Sequence, residues 1–313
     1  MTRVGWIGAG IMGKAMGRNL MKHGFALHLY ARHPHKVEDI IAEGAILHDT
    51  IADCVRSCDV VITMVGFPSD VREVYQGEAG ILAHARTGQL LIDMTTSSPK
   101  LAKELAEQGE QKGLRVLDAP VTGGDVGARE GTLTILIGGS EADVHAAMPL
   151  FAAMGGHIHH CGPAGCGQHM KLANQIMIAG ALSGVSEALA YIQKQGMDPQ
   201  EMIDDLKAGA AGSRQLELLG PKMVKRDLAP GFFVKHFIKD MCLADEEAEE
   251  DGLCLNVLQT VLRNFEQLAA EGHGEDGTQS VITRYLHEKQ GLCIRKGVFK
   301  RTPFCHLFEE RPA

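Results

Sequence analysis

The segment Gly8-Ala9-Gly10-Ile11-Met12-Gly13 follows the apolar run Arg3–Ile7 and opens a helical spacing that continues toward Gly24. Glycines at these offsets permit a tight turn, close approach of a ligand to the backbone, and close packing of the following helix. A helix starting there directs unpaired N–H groups at an anion, so the segment predicts a phosphate-binding loop. Alone the pattern is weak; a strand before it and a helix after it give it meaning. The alternation then continues. Further strand candidates lie at Ala26–Tyr30, 60–65, 90–94, 115–119 and 132–137, with helical spacings between them. Strands separated by helices make βαβ units and a mostly parallel sheet. The expected class is α/β, with a doubly wound sheet at the N-terminus.

After Gly162-Pro163-Ala164-Gly165 the pattern changes, because residues 168–195 read as one long helix and 202–206, 237–243 and 253–268 keep helical spacing. A chain of 313 residues exceeds the usual size of one hydrophobic core. Residues 1–162 are therefore expected to form the sheet domain and 163–290 an all-helical domain joined to it by the long helix. Residues 291–313 are left as a tail of undetermined structure. The apolar stretch 176–192 carries Ser183, Ser186 and Glu187 and reads as a buried helix, too short and polar to span a membrane. The net charge of −8 opposes attraction to phosphate backbones or anionic lipid, so neither nucleic acid nor membrane is an expected partner. The first residues lack a secretory apolar core, and the eight cysteines form no CxxC pair. Reduced thiols and a cytoplasmic location are expected.

Where the second strand ends, at Tyr30, the chain continues Ala31-Arg32-His33. An NAD site usually places an acid here for the ribose hydroxyls, whereas Arg32 suits a 2′-phosphate, which favours NADP over NAD. Two later segments add chemistry. Asp118-Ala119-Pro120-Val121-Thr122-Gly123-Gly124 sits at a strand end and joins a hydroxyl to exposed backbone donors, a cradle suited to a carboxylate. Gly165-Cys166-Gly167-Gln168-His169-Met170-Lys171-Leu172-Ala173-Asn174-Gln175 places Lys171 and Asn174 three apart, on one face of the long helix.

With these motifs and Phe237-Ile238-Lys239-Asp240, the sequence resembles the β-hydroxyacid dehydrogenases, including 3-hydroxyisobutyrate dehydrogenases and tartronate semialdehyde reductases, over residues 3–285. The resemblance implies a Rossmann domain, a helical C-terminal domain, and a homodimer or homotetramer with the long helix in its interface. It makes Lys171 the catalytic acid/base, with Asn174 positioning the substrate and Thr122, Gly123 and Gly124 holding its carboxylate. Gly8, Gly10, Ile11, Met12, Gly13, Arg32, Val65, Gly66, Thr96 and Lys239 would contact the cofactor. Thr122 stands where serine is usual, Gln175 replaces a second asparagine, and Val65-Gly66-Phe67-Pro68 replaces a Leu-Pro pair, so that loop is expected to differ in shape.

The residue types support the same chemistry. Reducing an aldehyde needs a hydride from a nicotinamide and a proton for the developing alkoxide, and a lysine can give the proton if its pKa falls from about 10.4. The expected function is interconversion of a small 3-hydroxy acid and its semialdehyde. An imine reductase of the same fold is the enzymatic alternative, though it usually lacks a lysine at the position of Lys171. A non-catalytic dinucleotide-bound interaction module is the other. His157-Ile158-His159-His160-Cys161 matches no closed zinc site, so no metal is expected. Arg214, in a Gly/Ala-rich turn, could reach a substrate anion.

Overall fold

The structure, a computed structural model, describes residues 1–286. Among these, nine strands form one sheet: β1 (Arg3–Ile7), β2 (Ala26–Tyr30), β3 (Ile46–His48), β4 (Val60–Thr63), β5 (Leu90–Asp93), β6 (Arg115–Asp118), β7 (Val121–Thr122), β8 (Leu133–Gly138) and β9 (Gly155–Gly162). The order is β3-β2-β1-β4-β5-β6-β8-β7, with β9 beside β8. From β3 to β6 every pairing is parallel; β8 runs antiparallel to β6 and β7 and parallel to β9. The order reverses between β1 and β4, the switch point at which open α/β sheets bind ligands.

Both faces of this sheet are covered, and residue alternation shows it. Val4, Trp6, Leu29, Ile62 and Ile92 belong to one buried cluster, while Ile7, Val61 and Leu91 belong to another. Strands buried on both sides read as continuous apolar runs, which is why they stand out in the sequence. The helix Ile11–Lys22 covers the first face with Met16 and Leu20, and Pro68–Gln76 covers the second with Val71 and Tyr75.

The chain divides into two compact units within the long helix Cys166–Lys194, between Lys171 and Leu172, beyond the turn at which the sequence pattern changes. In its described part the second unit is built of helices, with a single isolated bridge between Phe233 and Gly277. Leu172, Leu182 and Leu189 from the long helix pack in one core with Phe237 and Met241 of Val234–Glu250 and with Leu258 and Phe265 of Asn256–Leu268. The Phe237 and Phe265 rings meet edge to face with centroids 5.1 Å apart.

The stretch 176–192, read as a buried helix, is buried on one face only, with Ala179, Leu182, Val185 and Leu189 inside. The whole helix spans 29 residues, and only 39% of its most apolar window is buried, with Met177 and Tyr191 on the open face. Length and composition would let it cross a membrane, a test that core helices of water-soluble proteins also pass. The tail at 291–313 lies outside the described residues.

Candidate active site

The first glycine loop is built as its spacing requires. Gly8 follows β1 at φ +101°, and a Cβ there would lie 2.1 Å from the Met64 carbonyl oxygen, so only glycine fits. A Cβ on Gly13 would lie 2.2 Å from the Gly8 oxygen and 2.8 Å from Trp6 Nε1, because the helix is pressed against the loop. Gly10 differs. It is the N-cap of Ile11–Lys22, its Cβ position has no atom within 4 Å, and no side chain caps this helix. The loop thus combines tight glycines on its inner side with an open approach to the helix N-terminus, where Ile11 and Met12 follow. A dinucleotide pyrophosphate fits that arrangement. Alanine at Gly10, whose φ of −76° suits any residue, is expected to shift Tm by less than about 4 °C. The same change should weaken binding of a nicotinamide dinucleotide at least about tenfold, in a fluorescence titration. Unchanged affinity would mean that the phosphates do not pass over Gly10.

Arg32 lies past the end of β2, 56% exposed, and its Nη2 donates to Asp70 Oδ1 at 2.9 Å. Asp70 uses its other oxygen to accept the Phe67 N–H at 3.0 Å at the start of Pro68–Gln76. Arg32 therefore has an acidic partner that sequence spacing did not reveal.

Val65 and Gly66 follow β4, and the Val65 N–H donates to Thr95 Oγ1 at 3.0 Å. Thr95 is held in turn by Asp93, whose Oδ1 accepts the Thr95 N–H at 3.1 Å and the Thr63 hydroxyl at 2.8 Å. Burial pushes the Asp93 carboxyl up to about 6 against the pull of those hydrogen bonds. Gln168 closes the loop: its Nε2 donates to the Thr95 carbonyl at 2.8 Å and its Oε1 accepts the Ser97 N–H at 2.9 Å. Thr96 is thereby fixed, half-buried, between two buried neighbours.

Asp118, paired in register with Asp93 across β6 and β5, is also buried. Its Oδ1 accepts the Gly165 N–H at 2.7 Å and its Oδ2 the Gln168 N–H at 2.9 Å, so it fastens the start of the long helix. Burial raises its carboxyl above the ordinary range. Gly138 and Gly167 make room, since a Cβ on either would come within 2.8 Å of an Asp118 oxygen. Thr122 ends β7 half-buried, and Gly123 and Gly124 follow at φ +129° and +65°, a turn that side chains would strain. Lys171, 7% exposed, lies one turn after Gln168 on the fastened helix.

In the second unit, Asn174 Nδ2 donates to Gln175 Oε1 at 2.7 Å, and Gln175 Nε2 donates to Asp240 Oδ2 at 2.6 Å. Lys239 Nζ lies 2.7 Å from Asp240 Oδ1, in a buried ion pair. The structure thus groups the glycine loop, Arg32, Val65, Gly66, Thr96, Thr122, Gly123, Gly124 and Lys171 in the first unit, and Asn174 and Lys239 in the second. Arg214 is 72% exposed and paired with Glu217 on its own helix. His157 to Cys161 lie on β9, where His160 Nε2 bonds the Gly139 and Gly162 carbonyls. Asp93, Gln168 and Asp240 were missed as structural partners. Two apolar strands ending on acids at equal register were the available signal.

Residues 3–162 match the NAD-binding domain of 6-phosphogluconate dehydrogenase, and 165–285 the NAD-binding domain of NADP-dependent 3-hydroxyisobutyrate dehydrogenase. The chain is 49% identical over 283 residues to an uncharacterized oxidoreductase of Bacillus subtilis, covering 90% of this chain and 98% of the relative. It is 38% identical over 270 residues to 2-hydroxy-3-oxopropionate reductase of Escherichia coli, covering 86% and 92%. The solved Mycobacterium tuberculosis 3-hydroxyisobutyrate dehydrogenase with L-serine superposes with a TM-score of 0.83 at 29% identity, covering 92% and 100%.

Proposed function

The chain belongs to the β-hydroxyacid dehydrogenase family of NAD(P)-dependent oxidoreductases acting on CH–OH groups, and from that premise we propose that it interconverts a small 3-hydroxy acid and its semialdehyde, of the 3-hydroxyisobutyrate or tartronate semialdehyde type, with NADP preferred. The observation that carries this reading is the buried Lys171 on a helix whose first turn is fastened to the strand ends by Asp118 and Gln168. Proton transfer to a carbonyl oxygen is a task that suits a lysine carried on so firmly held a helix start.

Gly8, Gly10, Ile11, Met12, Gly13, Arg32, Val65, Gly66, Thr96 and Lys239 hold the cofactor, which when bound supplies or receives the hydride. Thr122 with the backbone of Gly123 and Gly124 binds the substrate carboxylate, and Asn174 orients the reacting end. Lys171 gives its proton to the carbonyl oxygen during reduction and takes the hydroxyl proton during oxidation.

Arg32 supports the cofactor preference. Asp70 engages only Nη2 of the guanidinium and competes with a 2′-phosphate for it, but an exposed ion pair is worth only about 0–1 kcal/mol, against about 1.5–3 for a charge-assisted bond to phosphate. Reduced-nicotinamide absorbance with methylmalonate semialdehyde, tartronate semialdehyde, succinic semialdehyde and glyoxylate, each with NADPH and NADH, tests both parts. Arg32→Ala is expected to raise the NADPH KM about tenfold and leave the NADH KM within about twofold. Equal effects on both cofactors would remove the NADP assignment, and no turnover of any aldehyde would remove the substrate class. We further propose that a second copy of the chain covers the open apolar face of the long helix, in a homodimer or homotetramer, and that the enzyme works in the cytoplasm.

A further inference from the structure

Strand β3 ends the sheet and holds to β2 through three registered pairs, His28 with Ile46, Leu29 with Leu47 and Tyr30 with His48. Ile46, at its start, is 50% exposed. One side-chain bond also joins the two strands: His28 Nδ1 lies 2.8 Å from His48 Nε2, with the rings stacked at 5.1 Å and 17°. We propose that this pair is an acid-operated latch, which fastens β3 to β2 while the facing nitrogens share one proton and lets the edge strand go when each carries its own.

The latch follows from imidazole chemistry. A neutral ring has one N–H and one lone pair, so two facing nitrogens bond when one carries a proton and the other does not. A first extra proton keeps that bond but places a charge where burial opposes it. A second sets N–H against N–H and cation against cation. His28 has no other partner to turn to. It is 8% exposed. On its other side β1 puts Gly5 in register with it, and the space over Gly5 is filled by the sulfurs of Cys58 and Cys54, 3.2 and 3.3 Å from where a Cβ would stand.

The charges around the pair are held by other contacts. Arg3 on β1 and Asp59 before β4 are joined at 2.8 Å, and Arg3 keeps the Asp59 carboxyl down at about 2. Cys54, on the helix Ile51–Ser57, donates its thiol to the His28 carbonyl at 3.8 Å; Cys58 and burial push that thiol far up, so it stays protonated. Asp49, Asp53 and Arg56, from the turn and helix after β3, are exposed. Burial, then His48 and Arg3, hold the His28 imidazole below its ordinary value against a smaller pull from Asp59. The folded chain therefore binds that proton more weakly than the unfolded chain. The stability this gives is present above about 6.5 and lost as pH falls through the lowered folded value.

The test is hydrogen exchange of the whole protein, read by mass spectrometry on the peptide carrying residues 46–48 and referred at each pH to the intrinsic amide rate and to residues 3–7 of β1. Between about pH 7.5 and pH 5, protection of 46–48 is expected to fall at least about fivefold more than that of 3–7. In His48→Gln, whose amide can turn to offer His28 either N–H or oxygen, the extra fall should shrink to less than about twofold. A merely structural contact would lower protection in His48→Gln by one factor at every pH and leave the dependence on pH as in the wild type. That result, or equal pH dependence of the two strands in the wild type, would overturn the latch. If His48→Gln does not fold, as read by circular dichroism, the imidazole resonances of the wild type decide. The latch requires His28 to titrate below the ordinary value and the two rings to respond to each other in two steps, and independent single titrations near about 6.5 would overturn it.

Discussion

Lys171→Ala is expected to lower kcat for aldehyde reduction by about 10²–10⁴-fold, the usual contribution of a positioned general acid, while NADPH still binds. The lysine is 7% exposed and stands one turn beyond Gln168, whose main chain and side chain are both tied to buried partners of the strand ends. A side chain carried on so fixed a helix start has little freedom to be replaced by another donor. Water entering the space left by alanine could supply a proton, but without orientation, and so cannot restore the rate. Lys171→Met fills most of the volume without a proton to give, and is expected to match alanine in kcat while losing less stability. The check is single-turnover reduction at saturating NADPH, with cofactor affinity measured separately by fluorescence. A variant that keeps more than about half the wild-type rate would remove Lys171 from the chemistry. Loss of cofactor affinity in parallel with kcat would place the residue in binding instead.

What the sequence made legible and what it concealed divide along a physical line. Strands β1 and β2 have the bounds that the apolar pattern predicts, because both are interior and buried on two faces, with Gly8 after the first and Gly24 before the second. β3, with three residues, and β7, with two, are too short to show a period. β9 is half exposed and histidine-rich, and its backbone pairing with β8 rather than side-chain burial makes it a strand. The glycine loop was legible because its requirements are local: Gly8, Gly10 and Gly13 answer to neighbours fixed by spacing. The polar partners were not, because they come from remote parts of the chain. Gln168 and Ser97 are 71 positions apart, Asp118 and Gly165 are 47, and Arg32 and Asp70 are 38. Arg32 shows the difference well: its charge was evident, and the acid that competes for it was not.

Asp118→Ala is expected to lower stability by about 3 kcal/mol and kcat along with it. Two oxygens of one buried carboxyl receive the Gly165 and Gln168 N–H groups, at 2.7 and 2.9 Å. Without it both donors are left unpaired where water does not reach, at about 1–3 kcal/mol each, partly offset because no carboxyl then has to be buried. A loss of that size lowers Tm by several degrees, on the order of 2–4 °C per kcal/mol for a domain of this size. The pH dependence has a definite sign. Burial raises the Asp118 carboxyl, so the folded protein binds that proton more tightly than the unfolded chain. Its contribution is fully present below the unfolded value of about 3.9 and falls as pH rises through the raised folded value. The stability gap between wild type and Asp118→Ala should therefore be widest in acid and narrow toward neutrality, in urea titrations at a series of pH values. Asp118→Asn, which keeps one acceptor, should lose about half as much stability. Because the fastened turn leads directly to Lys171, the alanine variant should also lose kcat more than cofactor affinity. A variant with unchanged Tm and kcat would show that the long helix holds its place without this carboxyl, and the geometry of the Lys171 site would then have to be fixed by Gln168 and its hold on Thr95 and Ser97.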